Sequence, residues 1–141
     1  MGPMPRKKET VLFICTSNSA ISQMAEGLVN SLMKERYEAK SAGTVARKLD
    51  ERTVKVMKEI NIDISKQTSN PVNDYFGMTF DLVITLCDDA EEECPFLING
   101  NDYIHKNFKD PSKLKGDDEK VMQEFRAARD ALRAWLNGAL G

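Results

Sequence analysis

Cys15 closes a short apolar run and opens onto Thr16, Ser17, Asn18, Ser19 and Ala20, just before an apolar helical stripe that starts at Ile21. A strand-to-helix turn of small, mostly polar residues can aim several backbone N–H groups at one anion, with the positive end of the helix dipole behind them. The same field favours the thiolate, which is the nucleophilic form of cysteine. The residue types and their order therefore point to a thiol that attacks a bound oxyanion. Asn18 is suited to holding the shape of the turn through its side chain, and Ser22 to donating to the Cys15 thiolate.

Two further cysteines stand apart from this turn. Cys87 ends the apolar run Phe80 to Cys87, and Cys94 follows it across the acidic stretch Asp88 to Glu93. Neighbouring negative charge raises a thiol pKa, so both are expected to rest as thiols. The plainer reading of Cys87 is a small buried hydrophobe at a strand end. No C-x2-C spacing occurs and His105 is distant, so no zinc site is expected. His105 reads as a surface residue.

Strands and helices must alternate to position these groups. Glu9 to Cys15 is nearly continuous in apolar character, as for a strand buried on both faces. Ile21, Met24, Ala25, Leu28, Val29, Leu32 and Met33 follow at helical spacing. A second strand is expected over Tyr37 to Ala42, closed by Gly43. Asp50 is a candidate N-cap for a helix carrying Val54, Met57 and Ile60. Phe80 to Cys87 is the third strand, and a short fourth is expected near Tyr103 to Phe108. Val121, Phe125, Ala128, Leu132 and Trp135 mark a long final helix, with Arg126, Arg129, Asp130 and Arg133 expected on its solvated face.

This order implies an α/β domain, with a four-stranded parallel sheet flanked by helices on both faces. Ligands in such sheets bind beyond the carboxyl ends of the strands, where both Cys15 and Cys87 fall. With 141 residues, 41% of them hydrophobic, the chain can bury one real core. Residues 1–8 read as a disordered tail or a cloning scar, and residues 9–141 as a single catalytic domain. The net charge of −2 gives no nucleic-acid footprint. The aliphatic runs are too short to span a bilayer, so no membrane partner is expected. Three cysteines and no export signal suggest reduced thiols and a cytoplasmic location, and nothing in the sequence demands more than a monomer.

From Cys15 to Gly27, C-T-S-N-S-A-I-S-Q-M-A-E-G resembles the active-site loop of the low-molecular-weight protein tyrosine phosphatase fold, and in particular its thioredoxin-coupled arsenate reductases. Ser41-Ala42-Gly43, Ile62-Asp63-Ile64, Thr85-Leu86-Cys87, Asp110-Pro111 and Phe125-Arg126-x-x-Arg129-Asp130 extend the match over nearly the whole chain. The resemblance implies that Cys15 is the nucleophile and Asp110 the general acid. It also implies that residues Thr16 to Ser22 form the oxyanion loop and that Cys87 and Cys94 relay a disulfide. Arsenate is then the substrate, with phosphate or sulfate as analogues. Thioredoxin is the reductant, with no tightly bound cofactor and no metal.

One position departs from the pattern. The family closes this loop as C-x5-R, whereas this chain has Ile21 there. An arginine fork matches an oxyanion bidentately, and losing such a contact costs on the order of 10²–10³ in rate. Three readings of Ile21 stand open: an introduced substitution, charge supplied by Lys or Arg from elsewhere, or a lost catalytic role. The functions implied are arsenate reduction first, tyrosine phosphatase activity second, and third a catalytically degenerate redox or binding protein.

Overall fold

The odd-numbered side chains of Val11, Phe13 and Cys15 enter one buried cluster, and the even-numbered Leu12 and Ile14 enter another. This alternation places the first strand, β1 (Glu9–Cys15), at the middle of a sheet covered on both faces. The structure is a computed structural model describing residues 8–86 and 98–141. Cys87 and Cys94, and nearly all of the expected N-terminal tail, lie outside the described residues.

After β1 come α1 (Ile21–Leu32), β2 (Tyr37–Gly43), α2 (Glu51–Lys58), β3 (Thr79–Thr85), β4 (Asn99–His105) and α3 (Glu119–Leu140). The four strands are parallel in the order β2-β1-β3-β4. The chain leaves β1 for a neighbour on one side and later pairs β3 on the other. The carboxyl end of β1 is therefore the switch point of the sheet, where loops diverge and leave a crevice. Cys15 pairs with Gly43 and Ile14 with Thr85, so the ends of three strands converge there.

The α1, α2 and α3 helices share the cluster built on Val11, Phe13 and Cys15. On the opposite face, Val72 and Tyr75 of a one-turn 3-10 helix (Val72–Tyr75) pack with Phe80, Val83 and Ile98. The Asp50 carboxylate caps α2 by accepting from the Arg52 N–H at 2.9 Å, and Asp118 caps α3 through Val121 N–H.

Two expectations need correction. The fourth strand begins at Asn99, earlier than Tyr103, because its first residues are the polar edge of the sheet and carry no apolar signal. Arg129 does not lie on a solvated face. It is 8% exposed, and its guanidinium donates to the Val56 carbonyl at 2.7 Å and to Glu59 at 2.8 Å, tying α3 to α2. No helix among the described residues is long and apolar enough to cross a membrane.

Candidate active site

The turn after β1 is stretched around its own outer edge by the segment 44–53. The Thr44, Val45, Arg47 and Asp50 N–H groups donate to the carbonyls of Cys15, Thr16, Ser17 and Ser19, at 2.8 to 3.1 Å. Thr53 Oγ1 also donates to the Ser19 carbonyl, and Gln23 Nε2 to that of Asn18. The carbonyl side of the loop is thus occupied. Among the described residues no backbone carbonyl receives the N–H groups of Ser17, Ser19, Ala20 or Ile21. A loop with its carbonyls turned out and its N–H groups unclaimed, at the start of a 12-residue helix, is a cradle for an anion. Gly43 permits the close approach of β2: a Cβ there would stand 2.8 Å from the Thr16 carbonyl oxygen.

Asn18 is the pivot of the turn. Its φ of 53° lies in the left-handed region, which asparagine tolerates better than most residues. Its side chain is fully engaged. Nδ2 donates to Ser22 Oγ at 2.7 Å and to Ser41 Oγ at 2.9 Å, and Oδ1 accepts the Asn70 N–H at 2.9 Å. The Ser41 hydroxyl in turn donates to Glu26 Oε1 at 2.8 Å. Burial holds the Glu26 carboxyl above the usual carboxylate range, against the opposing effect of that hydrogen bond and of Lys40.

The Cys15 sulfur sits inside this frame, and the residue as a whole is 6% exposed. Ser22 Oγ lies 2.8 Å from it and the Asn18 N–H donates to it at 3.1 Å, joined by the Ser22 N–H. Because Asn18 Nδ2 already donates to Ser22 Oγ, the hydroxyl proton is free to point at sulfur. These bonds all favour the thiolate, yet burial outweighs them and pushes the thiol up, with the Asp110 charge adding to the rise. The expectation of a lowered thiol pKa is therefore corrected: burial raises it. The physical reason is desolvation without a balancing cation, since the residue at the end of the loop is Ile21. Its side chain is 3% exposed and packs in the same apolar cluster as Met24 and Leu28.

Asp110 approaches from the loop before α3. Its Oδ1 accepts the Ser112 N–H at 2.9 Å and the Ser112 hydroxyl at 2.6 Å, while Ser19 Oγ donates to Ser112 Oγ at 3.2 Å. Ser19 in turn meets Ser17 at 2.9 Å. A short hydroxyl chain thus ties the carboxylate to the anion loop. Ser112 and Asn70 lie outside the matched segments, and the parts of Ser41 and Gln23, which lie inside them, appear only in the folded loop. His105 ends β4, where its Nδ1 meets Thr85 Oγ1 at 2.7 Å and Nε2 meets Asn107 at 2.8 Å. Among the described residues no group of three or more His, Cys, Asp or Glu side chains could hold a metal ion.

Known proteins resemble this chain in sequence and in fold. An arsenate reductase from Halalkalibacterium halodurans is 40% identical over 125 residues, covering 89% of this chain and 90% of the relative. One from Bacillus subtilis is 37% identical over 126 residues, covering 89% and 91%. A solved arsenate reductase in the phosphate binding state superposes with a TM-score of 0.75 at 27% identity, covering 93% of this chain and 95% of that one. A tyrosine phosphatase from Erwinia amylovora shares the fold, with a TM-score of 0.66 at 19% identity over 97% of each chain. Residues 10–139 match the low molecular weight phosphotyrosine protein phosphatase family, and with these relatives the chain belongs to that family, on the side occupied by its arsenate reductases.

Proposed function

We propose that this protein reduces arsenate to arsenite. The single observation that carries the reading is the Cys15 sulfur, held by Ser22 and Asn18 at the centre of a loop in which the Ser17, Ser19, Ala20 and Ile21 N–H groups meet no backbone carbonyl among the described residues. Phosphatase and reductase chemistry share that centre. The arsenate reductase relatives at up to 40% identity and the second and third cysteines favour reduction.

The Cys15 thiolate attacks arsenic(V), forming an S–As bond as one oxygen leaves as water with a proton from Asp110. The thiolate of Cys87 then attacks Cys15 sulfur. The S–As bond breaks with its electron pair going to arsenic, which departs as arsenite, and a Cys15–Cys87 disulfide remains. Cys94 attacks Cys87, releasing the Cys15 thiolate and leaving a Cys87–Cys94 disulfide. A dithiol reductant of the thioredoxin class restores both thiols. Two electrons move from two cysteines to arsenic, and two return from the reductant. Leu86, the last described residue before Cys87, donates its N–H to the Ile14 carbonyl at 2.7 Å. A cytoplasmic setting, where thiols stay reduced, suits this cycle.

The test is arsenate-dependent NADPH oxidation with thioredoxin and thioredoxin reductase, run on the native chain and on Cys15→Ser and Cys87→Ser variants. The reading predicts turnover by the native chain and none by either variant. Turnover by Cys87→Ser equal to the native rate would remove the relay.

A second reading, aryl-phosphate hydrolysis, is favoured by the link of Asp110 to the loop through Ser112 and Ser19. It needs Cys15 and Asp110 but neither Cys87 nor Cys94, so p-nitrophenyl phosphate hydrolysis by Cys87→Ser separates the two.

A further inference from the structure

An oxyanion in this loop meets N–H groups but no cation from residue 21, because isoleucine carries no charge; its side chain packs in the core. The thiolate to be formed adds a negative charge beside it. Anion binding beside a buried thiolate is unfavourable unless a positive charge compensates.

Most arginines near this end of the fold are already committed. Arg52 is held by Asp50 at 2.7 Å and by the carbonyls of Leu114 and Gly116, and it lies 4.7 Å above the Phe125 ring centroid. Arg126 and Arg129 are bound to Glu59. Arg47 differs. Its backbone N–H is fastened to the Ser17 carbonyl at 2.8 Å, so its Cα is fixed against the anion loop. No hydrogen bond or ion pair holds its side chain among the described residues. It lines a cavity of about 640 Å³ together with Ser19 and Ser112, the two hydroxyls that connect the loop to Asp110.

Resting on the reading of the Cys15 loop as the oxyanion site, we propose that Arg47 supplies the guanidinium that balances and grips the oxyanion, in place of the arginine absent at position 21. The strap that shapes the loop also carries the charge. Lys48 lines the same cavity but its backbone N–H makes no bond to the loop, and an ammonium is a point charge without the fork that matches two oxygens.

The experiment is calorimetric titration of the reduced, full-length protein with inorganic phosphate, repeated on Arg47→Ala, Arg47→Lys, Lys48→Ala and the double variant Arg47→Ala/Ile21→Arg. Protection of Cys15 from iodoacetamide by phosphate locates the bound ion. Because Arg47→Ala keeps its backbone N–H, the strap is preserved, and its thermal midpoint is expected to match that of the native chain. Phosphate affinity is expected to fall about 10–100-fold in Arg47→Ala, the worth of one charge-assisted contact. Arg47→Lys is expected to fall between, Lys48→Ala to stay within about threefold of native, and the double variant to recover affinity. Unchanged affinity in Arg47→Ala, or an equal loss in Lys48→Ala, would overturn the assignment while leaving the loop as the oxyanion site. Failure of the native chain to bind phosphate or protect Cys15 would overturn both.

Discussion

The Ser22 hydroxyl lies 2.8 Å from the Cys15 sulfur while its oxygen receives the Asn18 amide at 2.7 Å. The amide thereby directs the hydroxyl proton toward sulfur. Ser22 stabilises the thiolate against the burial that opposes it. Replacing it by alanine is expected to slow alkylation of Cys15 by iodoacetamide at neutral pH by about 10–100-fold, the worth of one hydrogen bond to a charged group. Peptide mapping separates Cys15 from the other two cysteines. An unchanged Cys15 rate would mean that the hydroxyl does not donate.

Asn18 does two separable things: it adopts a φ of 53° and makes three side-chain hydrogen bonds. Asn18→Ala loses both, and should lower unfolding free energy by about 2–4 kcal/mol in urea titrations. Asn18→Gly keeps the backbone conformation and loses only the bonds, so it should be about 1 kcal/mol more stable than the alanine variant. An alanine variant as stable as glycine would show that the left-handed turn relaxes when its side-chain bonds are gone.

The raised thiol makes stability depend on pH in the alkaline range. A folded pKa above the unfolded one means that the folded chain holds the proton more tightly. That contribution is fully present below the ordinary thiol value of 9.0 and is lost as pH rises through the folded value. Unfolding titrations between neutral and alkaline pH should therefore show a steeper loss for the native chain than for Cys15→Ser. Parallel curves would mean that Cys15 is not desolvated in the folded protein.

Arg129 joins α3 to α2 through the Val56 carbonyl and Glu59. Removing it by Arg129→Ala leaves a buried carbonyl without its donor, and is expected to cost about 2–3 kcal/mol. Arg133, on the exposed side of α3, serves as the control and should change stability by less than about 0.5 kcal/mol. Equal effects would remove the special role of the buried guanidinium.

These contrasts also show what the linear chain reveals. β1 and α1 are legible because burial on both faces writes a continuous apolar run in the strand, and the helix repeats apolar residues at helical spacing from Ile21 to Val29. The Cys15 loop is legible because small polar residues between those two patterns leave little else for the turn to do. Arg129 was misread because its partner Glu59 is 70 residues away, and a charged helix residue defaults to solvent. Ser112 and Ser19 are 93 residues apart, so their hydroxyl link has no local trace. The thiol shift reversed sign because a dipole argument counts the helix and omits desolvation, which here is the larger effect. β4 starts early because an edge strand rich in Asn, Gly and Asp needs no apolar alternation.

The central claim, that arsenic is reduced by electrons from this chain's own cysteines, is tested most directly by a single turnover without reductant. Reduced protein is mixed with equimolar arsenate, and arsenite is measured alongside peptide mapping of the disulfides. The account predicts one arsenite released per chain and a Cys87–Cys94 disulfide in the native protein. In Cys94→Ser it predicts a trapped Cys15–Cys87 disulfide. Arsenite release with all three thiols still reduced, or no arsenite under conditions where phosphate protects Cys15, would contradict it.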